Sequence, residues 1–180
     1  MSSAVVKSAF GSTVNNKSRV DLSSDWISKS SIEVGMILMK KFEWVDHPSD
    51  IGFRAYGKSL EKAFENAALA LTEIMADADK VKPEGEISIE LQAEDREALL
   101  FDWLDFFLYL QDAEDLISSK FEVESITEEN EGFKLKARAW GEKYDPDRHG
   151  AGTEVKAVTY HMMEIECGPD RFSVQVVVDI

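Results

Sequence analysis

Four stretches in the second half of this 180-residue chain alternate apolar and polar side chains with a period of two. Such alternation is typical of β-strands that have one buried and one solvated face. Residues 128–132 and 168–170 form hairpin-length links between neighbouring stretches, and each link contains a glycine. The regular βαβ order that a doubly wound fold requires is absent. This half of the chain therefore predicts largely antiparallel strands. On each predicted strand, alternate residues form one face. These residues are Phe121 and Val123 on the first strand, Phe133, Leu135, Ala137 and Ala139 on the second, Val155, Ala157, Thr159 and His161 on the third, and Phe172, Val174, Val176 and Val178 on the fourth.

Two helices are predicted in the first two thirds of the chain. Over residues 59–75 apolar side chains recur at i, i+3, i+4 and i+7, and Ser59 is placed to cap the first turn. The second helix follows Asp95, and its apolar face over residues 99–110 is too wide for a simple surface helix. It is either central to the core or shared with a partner. The central position is favoured, because a small domain has to bury its large aromatic residues.

These elements together predict the fold class. We expect an α+β domain with two layers, in which a mixed but largely antiparallel sheet carries two main helices packed on one face. Two further strands, over residues 42–45 and 51–56, are joined by the polar turn Asp46-His47-Pro48-Ser49-Asp50. This turn holds Asp46, His47 and Asp50 close together and is a candidate site. The alternative is that the same residues only make the hydrogen bonds of a turn.

Charge and cysteine content limit the classes of partner and compartment. The formal net charge is −15 and the sequence pI is about 4.6, which disfavours direct binding to a nucleic-acid backbone. An acidic surface suits divalent cations, docking to a basic protein, or solubility alone. The single cysteine rules out an intramolecular disulfide, and no apolar run is long enough to span a membrane. We expect a cytoplasmic protein with no membrane contact.

Residues 1–38 differ from the rest of the chain. They are rich in serine and show no sustained period of 2 or 3.6, which is the profile of a poorly ordered extension. Met36 and Met39 lie just before the first predicted strand, so a start site assigned too early is one explanation, and a transit peptide is a weaker one. The mass of the native protein distinguishes them. Residues 39–180 are predicted to form a single domain.

The remaining chemistry lies in carboxylates. The chain has none of the common phosphate-loop, dinucleotide, zinc-protease or nucleophile-elbow motifs, which lowers the expectation of an enzyme. It does have Asp46 and Asp50 in the first turn, and Asp179 beside the carboxylate of Ile180. Hard cations such as Mg²⁺, Mn²⁺ and Ca²⁺ prefer oxygen ligands. Asp179 and Ile180 therefore make a plausible half-site for a divalent metal ion.

Three ordered segments resemble one known family. They are FEWVDHPSDIGFRAYGKSLEKAFENAALALTEIM, WGEKYDPDRHGAGTEVKAVTYHMMEI and the final VVVDI, and together they are similar to archease. The likeness covers residues 41–180, so residues 1–38 extend beyond the family's pattern.

The resemblance implies a role and a set of residues. It implies an accessory factor of the GTP- and Mn²⁺-dependent RNA ligase RtcB, acting in tRNA splicing and RNA repair. Such a factor promotes guanylylation and multiple turnover of the ligase and does not join RNA itself. The resemblance assigns Asp50, Asp179 and Ile180 to a divalent metal site and marks Lys156 as a functional lysine.

Two other functions stay open at this stage. One is a stand-alone metal-dependent hydrolase, in which Asp46 or His47 serves as the general base. The other is a general chaperone or adaptor that uses an exposed part of the helix face at residues 103–110.

Overall fold

Two antiparallel sheets carry the strands of the described chain. The computed structural model describes residues 40–45 and 50–180. Its strands are β1 Phe42–Val45, β2 Ile51–Gly57, β3 Gly85–Ala93, β4 Leu116–Glu129, β5 Gly132–Lys143, β6 Ala157–Cys167 and β7 Phe172–Asp179. One sheet has the order β1-β2-β7-β6 and the other the order β3-β5-β4. The α+β class is confirmed, and the strands are divided between two sheets, where the sequence pattern had indicated one.

Both predicted helices are present. Helix α1 spans Leu60–Met75, and the Ser59 hydroxyl caps it by accepting a hydrogen bond from the Lys62 backbone N–H at 3.3 Å. Helix α2 spans Arg96–Glu114, and Asp95 Oδ1 accepts from the Ala98 N–H at 2.7 Å. A short helix, α3, spans Pro146–His149 within the loop that leads to β6. The two caps therefore fix the helix starts where the sequence placed them.

Helix α2 is central to the core, as predicted. Trp103 is fully buried, and its indole N–H donates to the Phe64 carbonyl oxygen at 3.0 Å. The rings of Phe107 and Phe121 lie edge to face at 5.0 Å, so α2 also packs on β4. Each main helix contacts both sheets: α1 contacts β2 and β4, and α2 contacts β3 and β6. The helices thus join the two sheets around one core.

The structure differs from the predicted strand boundaries in two places. Strand β4 begins at Leu116, directly after Asp115, which ends α2 in the left-handed conformation at φ 55°. Its pairing with β5 shifts register between Ser118 and Lys120, and such a bulge breaks the period of two. Strand β6 begins at Ala157, and Val158 is buried where it pairs with Val178, so the predicted alternation through His161 is wrong. The pairing with β7 then shifts register between Thr159 and Glu164. Bulges are local backbone features that residue alternation does not encode.

Some predictions fall outside the described residues. These are the extension over residues 1–38 and the turn residues Asp46 and His47. All described residues belong to one unit, Leu38–Ile180. Within this described part, no helix is long and apolar enough to cross a bilayer.

Candidate functional site at one end of the four-stranded sheet

Strand pairing brings the predicted site residues to the same end of one sheet. Ile51 of β2 pairs with Val178 of β7, so Asp50 directly precedes this pair and Asp179 directly follows it. On the other side of β7, Ala157 of β6 pairs with Asp179. Three strands therefore end together at Asp50, at Asp179 with Ile180, and at Lys156. The sequence predicted each of these residues but not that they share a sheet end.

Lys156 makes two contacts with the end of the chain. Its backbone N–H donates to the Asp179 carbonyl oxygen at 2.8 Å, which continues the ladder between β6 and β7 by one residue. Its ammonium Nζ donates to the Ile180 oxygen, also at 2.8 Å. An ammonium group at this distance offsets the negative charge of the chain end. The lysine that the family resemblance marked is thus in direct contact with the proposed metal-binding residues.

A pocket of about 390 Å³ lies beside Asp50 and adds a carboxylate that the sequence analysis missed. Glu73, on the last turns of α1, lines this pocket together with Asp50. Burial raises the pKa of the Glu73 carboxyl above its ordinary value, and the nearby carboxylates of Asp79 and Asp77 raise it further. The sequence shows Glu73 only as a polar position on an amphipathic helix, so no local signal distinguishes it. The pocket is lined by Trp44, Val45, Asp50, Ile51, Gly52, Glu73, Ile74 and Thr153.

The segment before β6 is fixed to the end of α1. The N–H groups of Gly152 and Thr153 donate to the carbonyl oxygens of Met75 at 3.2 Å and Ile74 at 2.8 Å. These carbonyls are among those that a helix leaves without an internal partner. A Cβ atom at Gly152 would lie 2.3 Å from the Ile74 oxygen, so only glycine permits the approach. The contact places Thr153 in the pocket and Lys156 at the sheet end.

A buried histidine holds the preceding loop. His149 is fully buried, and its Nδ1 accepts a hydrogen bond from the Asp145 N–H at 3.1 Å. Its Nε2 therefore carries the proton and donates a hydrogen bond to Glu142 Oε1, also at 3.1 Å. The Lys82 N–H, His149 and Arg148 all stabilise the charged Glu142 carboxylate and lower its pKa. His149 thus has a structural role in this loop.

The donor set suits a hard divalent cation but supplies few ligands. Asp50 is half-buried, Asp179 is exposed and Ile180 is partly exposed. Within residues 40–45 and 50–180, no group of three or more His, Cys, Asp or Glu side chains is arranged to hold a metal ion. A cation here would take two side-chain carboxylates and the Ile180 carboxylate, and water or a partner would complete its shell.

Comparison with known proteins identifies the family. The model of the Archease protein family matches residues 42–180, which include every strand end described above. This chain belongs to the archease family. Protein archease of Methanosarcina mazei is 46% identical over 141 residues, covering 78% of this chain and 97% of that protein. Protein archease of Pyrococcus abyssi is 46% identical over 143 residues, covering 79% of this chain and all of that protein.

A solved structure supports the fold of the archease domain. The solution structure of Methanobacterium thermoautotrophicum protein 1598 aligns with a TM-score of 0.68 at 42% identity. The alignment covers 79% of this chain and 100% of that one. The family resemblance seen in the three sequence segments is therefore confirmed.

Proposed function

We propose that this protein is an accessory factor that activates an RtcB-type RNA ligase in tRNA splicing and RNA repair. It promotes guanylylation and multiple turnover of the ligase and does not join RNA itself. Membership of the archease family over residues 42–180 supports the proposal. The structural observation that carries it is the strand register that gathers Asp50, Lys156, Asp179 and Ile180 at one sheet end. This arrangement offers charged groups at an accessible edge of the sheet.

A divalent cation, Ca²⁺, Mg²⁺ or Mn²⁺, is the proposed cofactor. Asp50, Asp179 and the Ile180 carboxylate are the groups that would hold it, and when bound it supplies positive charge that can bridge to oxygen atoms of a partner. The carboxylates contribute the negative charge that attracts the cation and hold the cation in position. The ammonium group of Lys156, at 2.8 Å from the Ile180 oxygen, fixes the chain end and balances its charge.

The charge of the whole chain favours docking to a basic partner. A net charge of −15 produces a negative field that steers association with a positively charged surface. An enzyme that binds RNA has to be basic near its substrate. The negative charge of this protein therefore favours its association with a basic RNA ligase, which is the partner we propose.

The test is multiple-turnover ligation by an RtcB-type ligase on RNA with a 3′-phosphate, with this protein at substoichiometric concentration. Wild-type protein should increase turnover, whereas Asp50→Ala and the similarly shaped Asp50→Asn should remove most of the increase. Asp112→Ala, on the exposed side of α2, is the matched control and should activate normally. Unfolding by denaturant should be similar for all four proteins, because a single partly exposed carboxylate contributes little to the core.

Other outcomes would assign a different function. Full activation by both Asp50 variants would favour a general chaperone or adaptor, in which the carboxylates play no part. Hydrolysis of nucleotides or phosphate esters by the pure protein with metal would favour a stand-alone hydrolase. Because α2 buries Trp103, Leu104, Phe107, Leu108 and Leu110, the face first considered for an adaptor is mostly inside the core.

Modification of the chain end tests the role of Ile180. A C-terminal tag converts the Ile180 carboxylate to an amide, and we expect the affinity for a divalent cation to fall by about tenfold or more. An N-terminal tag should leave it unchanged. Equal cation affinity of the untagged and both tagged forms would remove Ile180 from the site.

A further inference from the structure

Five cationic side chains converge on a pocket at the other end of the four-stranded sheet. The pocket has a volume of about 390 Å³, and its cationic residues are Lys40, Lys41, Lys58, Lys62 and Arg171. The whole chain has 20 Lys and Arg residues against 35 Asp and Glu residues. A quarter of the cations therefore gather at one concave surface of a strongly acidic protein. The carboxylates already make this surface soluble, so solubility does not explain the cluster of cations. A chance distribution would not favour such a cluster either.

The strand pairing explains how these residues meet. Gly57 pairs with Phe172 at the opposite end of β2 and β7 from Asp50 and Asp179, so Lys58 and Arg171 lie at this far end. The Tyr56 N–H donates to the Lys41 carbonyl oxygen at 2.8 Å and holds the chain before β1 beside them. Helix α1 starts at Leu60, which brings Lys62 and the positive end of the helix dipole to the same place.

The floor of the pocket is rigid. Asn66 is buried, and its Nδ2 donates to the Tyr56 carbonyl oxygen at 2.6 Å. The guanidinium of Arg171 lies over the Tyr56 ring at 4.1 Å from its centre. Arg171 Nη1 is buried, yet it has no hydrogen-bond partner among the described residues. Such an N–H is costly to leave unpaired.

Carboxylates neutralise only part of the positive charge. Lys40 pairs with Glu43 at 3.0 Å, Lys62 pairs with Glu65, and Asp170 also lines the pocket. Within residues 40–45 and 50–180, no ion pair connects Lys41, Lys58 or Arg171 with a carboxylate. Three cations of the pocket therefore have no carboxylate partner among the described residues.

We propose that this pocket binds a phosphate group. A phosphate has several acceptor oxygens and up to two negative charges, which match a guanidinium, several ammonium groups and a helix start. The volume is that of a pocket for a ligand of nucleotide size or smaller. The phosphate could belong to a small polyanion or to an RNA strand, and both present the same chemistry. The site is separate from Asp50, Asp179 and Ile180, so the proposal does not rest on the proposed function.

Titration calorimetry at low ionic strength tests the proposal with two probes, inorganic pyrophosphate and a short single-stranded RNA. The test variant is Lys41→Gln/Lys58→Gln, because both lysines are exposed and neither forms an ion pair with another described residue. The control variant is Lys136→Gln/Lys143→Gln, two exposed lysines of β5 whose loss changes the net charge equally. We expect saturable binding of pyrophosphate that weakens by at least about tenfold in the test variant and by less than about twofold in the control.

The outcomes separate the sources of the phosphate. Loss of pyrophosphate binding in the test variant, with no RNA binding by any form, assigns the pocket to a small anion. Loss of RNA binding in the test variant alone, whether or not pyrophosphate binds, assigns it to the RNA backbone. Absence of binding to both probes, or a test variant that binds no more weakly than the control variant, would overturn the proposal. Asp50→Ala should bind pyrophosphate as the wild type does, which keeps this result independent of the ligase assay.

Discussion

At the scale of single residues, Tyr56 shows how one side chain connects two strands and a pocket. Its hydroxyl donates a hydrogen bond to Glu43 Oε1 of β1, and its ring supports the guanidinium of Arg171. Burial, the hydrogen bond to the Glu43 carboxylate and the charge of that carboxylate together raise the pKa of Tyr56 to about 12. The same hydrogen bond lowers the pKa of Glu43. The fold therefore favours a neutral phenol beside a charged carboxylate.

This pKa predicts the direction of an alkaline pH effect. The folded-state pKa lies above the ordinary value of 10, so the stabilisation is complete below about pH 10 and is lost as the pH rises through about 12. When tyrosinate absorbance is measured against pH, Tyr56→Phe should remove the step that occurs at the highest pH. The free energy of unfolding of this variant should also fall less than that of the wild type over this pH range. Tyr109→Phe is the control, since that side chain is 58% exposed. An unchanged titration curve in Tyr56→Phe would contradict the assignment.

Lys156 gives a second prediction at the residue scale. Its ammonium group and a divalent cation would compete for the Ile180 oxygen that Nζ contacts at 2.8 Å. Lys156→Gln should therefore increase cation affinity by about fivefold, the equivalent of a partly exposed ion pair worth ~1 kcal/mol. Ligase activation should nevertheless fall if the ammonium group acts on the partner.

Metal titration of Lys156→Gln against Lys143→Gln measures this effect. A lower cation affinity in Lys156→Gln than in Lys143→Gln would mean that the lysine orients the carboxylate for the metal and does not compete with it.

At the scale of elements, β7 organises the whole site. It pairs with both β2 and β6, so it is one of the two inner strands of its sheet, and its residues 173–178 are buried. Only Asp179 and Ile180 emerge from this buried run. The segment over residues 150–156 has no strand structure and depends on the end of α1 for its position. The carboxylates thus rest on a rigid strand, whereas Lys156 depends on a loop contact.

Gly152→Ala tests this loop contact. The added Cβ would lie 2.3 Å from the Ile74 carbonyl oxygen and 2.4 Å from the Met75 carbonyl carbon, so backbone has to move. We expect a loss of about 1–3 kcal/mol in the free energy of unfolding, as for other overpacked sites, and weaker ligase activation. Denaturant unfolding and the ligation assay measure the two effects.

Gly85→Ala is the matched control for this substitution. Its Cβ would make only an ordinary contact at 3.4 Å, and its stability should be close to that of the wild type. Equal stability of the two variants would show that the loop adjusts without cost.

At the scale of the whole molecule, the four-stranded sheet has opposite charge at its two ends. Asp50 and Asp179 lie at one end, and the cationic pocket around Lys58 and Arg171 lies at the other. The chain as a whole remains strongly acidic, with a net charge of −15. A partner or ligand at one end of the sheet therefore meets a different local electrostatic field from a partner or ligand at the other end.

The prediction for the whole molecule concerns residues 1–35. The family match begins at residue 42, and the preceding segment has no periodic apolar face. Its deletion should change the melting temperature by less than about 2 °C and leave ligase activation intact, because a sequence without a periodic apolar face has little to bury against the domain. Thermal unfolding of the full and shortened chains measures this. A larger decrease would mean that the segment packs on the domain.

The sequence by itself determined the elements and the candidate residues. The period of 3.6 over α1 and α2 and the capping residues Ser59 and Asp95 are local features, and local periodicity is what a sequence encodes directly. The wide apolar face predicted correctly that α2 is central. Ligand chemistry and the family resemblance together indicate Asp50, Asp179, Ile180 and Lys156.

The tertiary structure alone decided how these parts meet. The division into two sheets, the bulges in β4 and β6 and the register of β2 on β7 depend on contacts between residues far apart in the chain. Alternation gives each strand a buried face but does not choose its partner. For the same reason Glu73 and Arg171 looked ordinary in the sequence. Each gains its significance only from the pocket that distant strands and a helix end form around it.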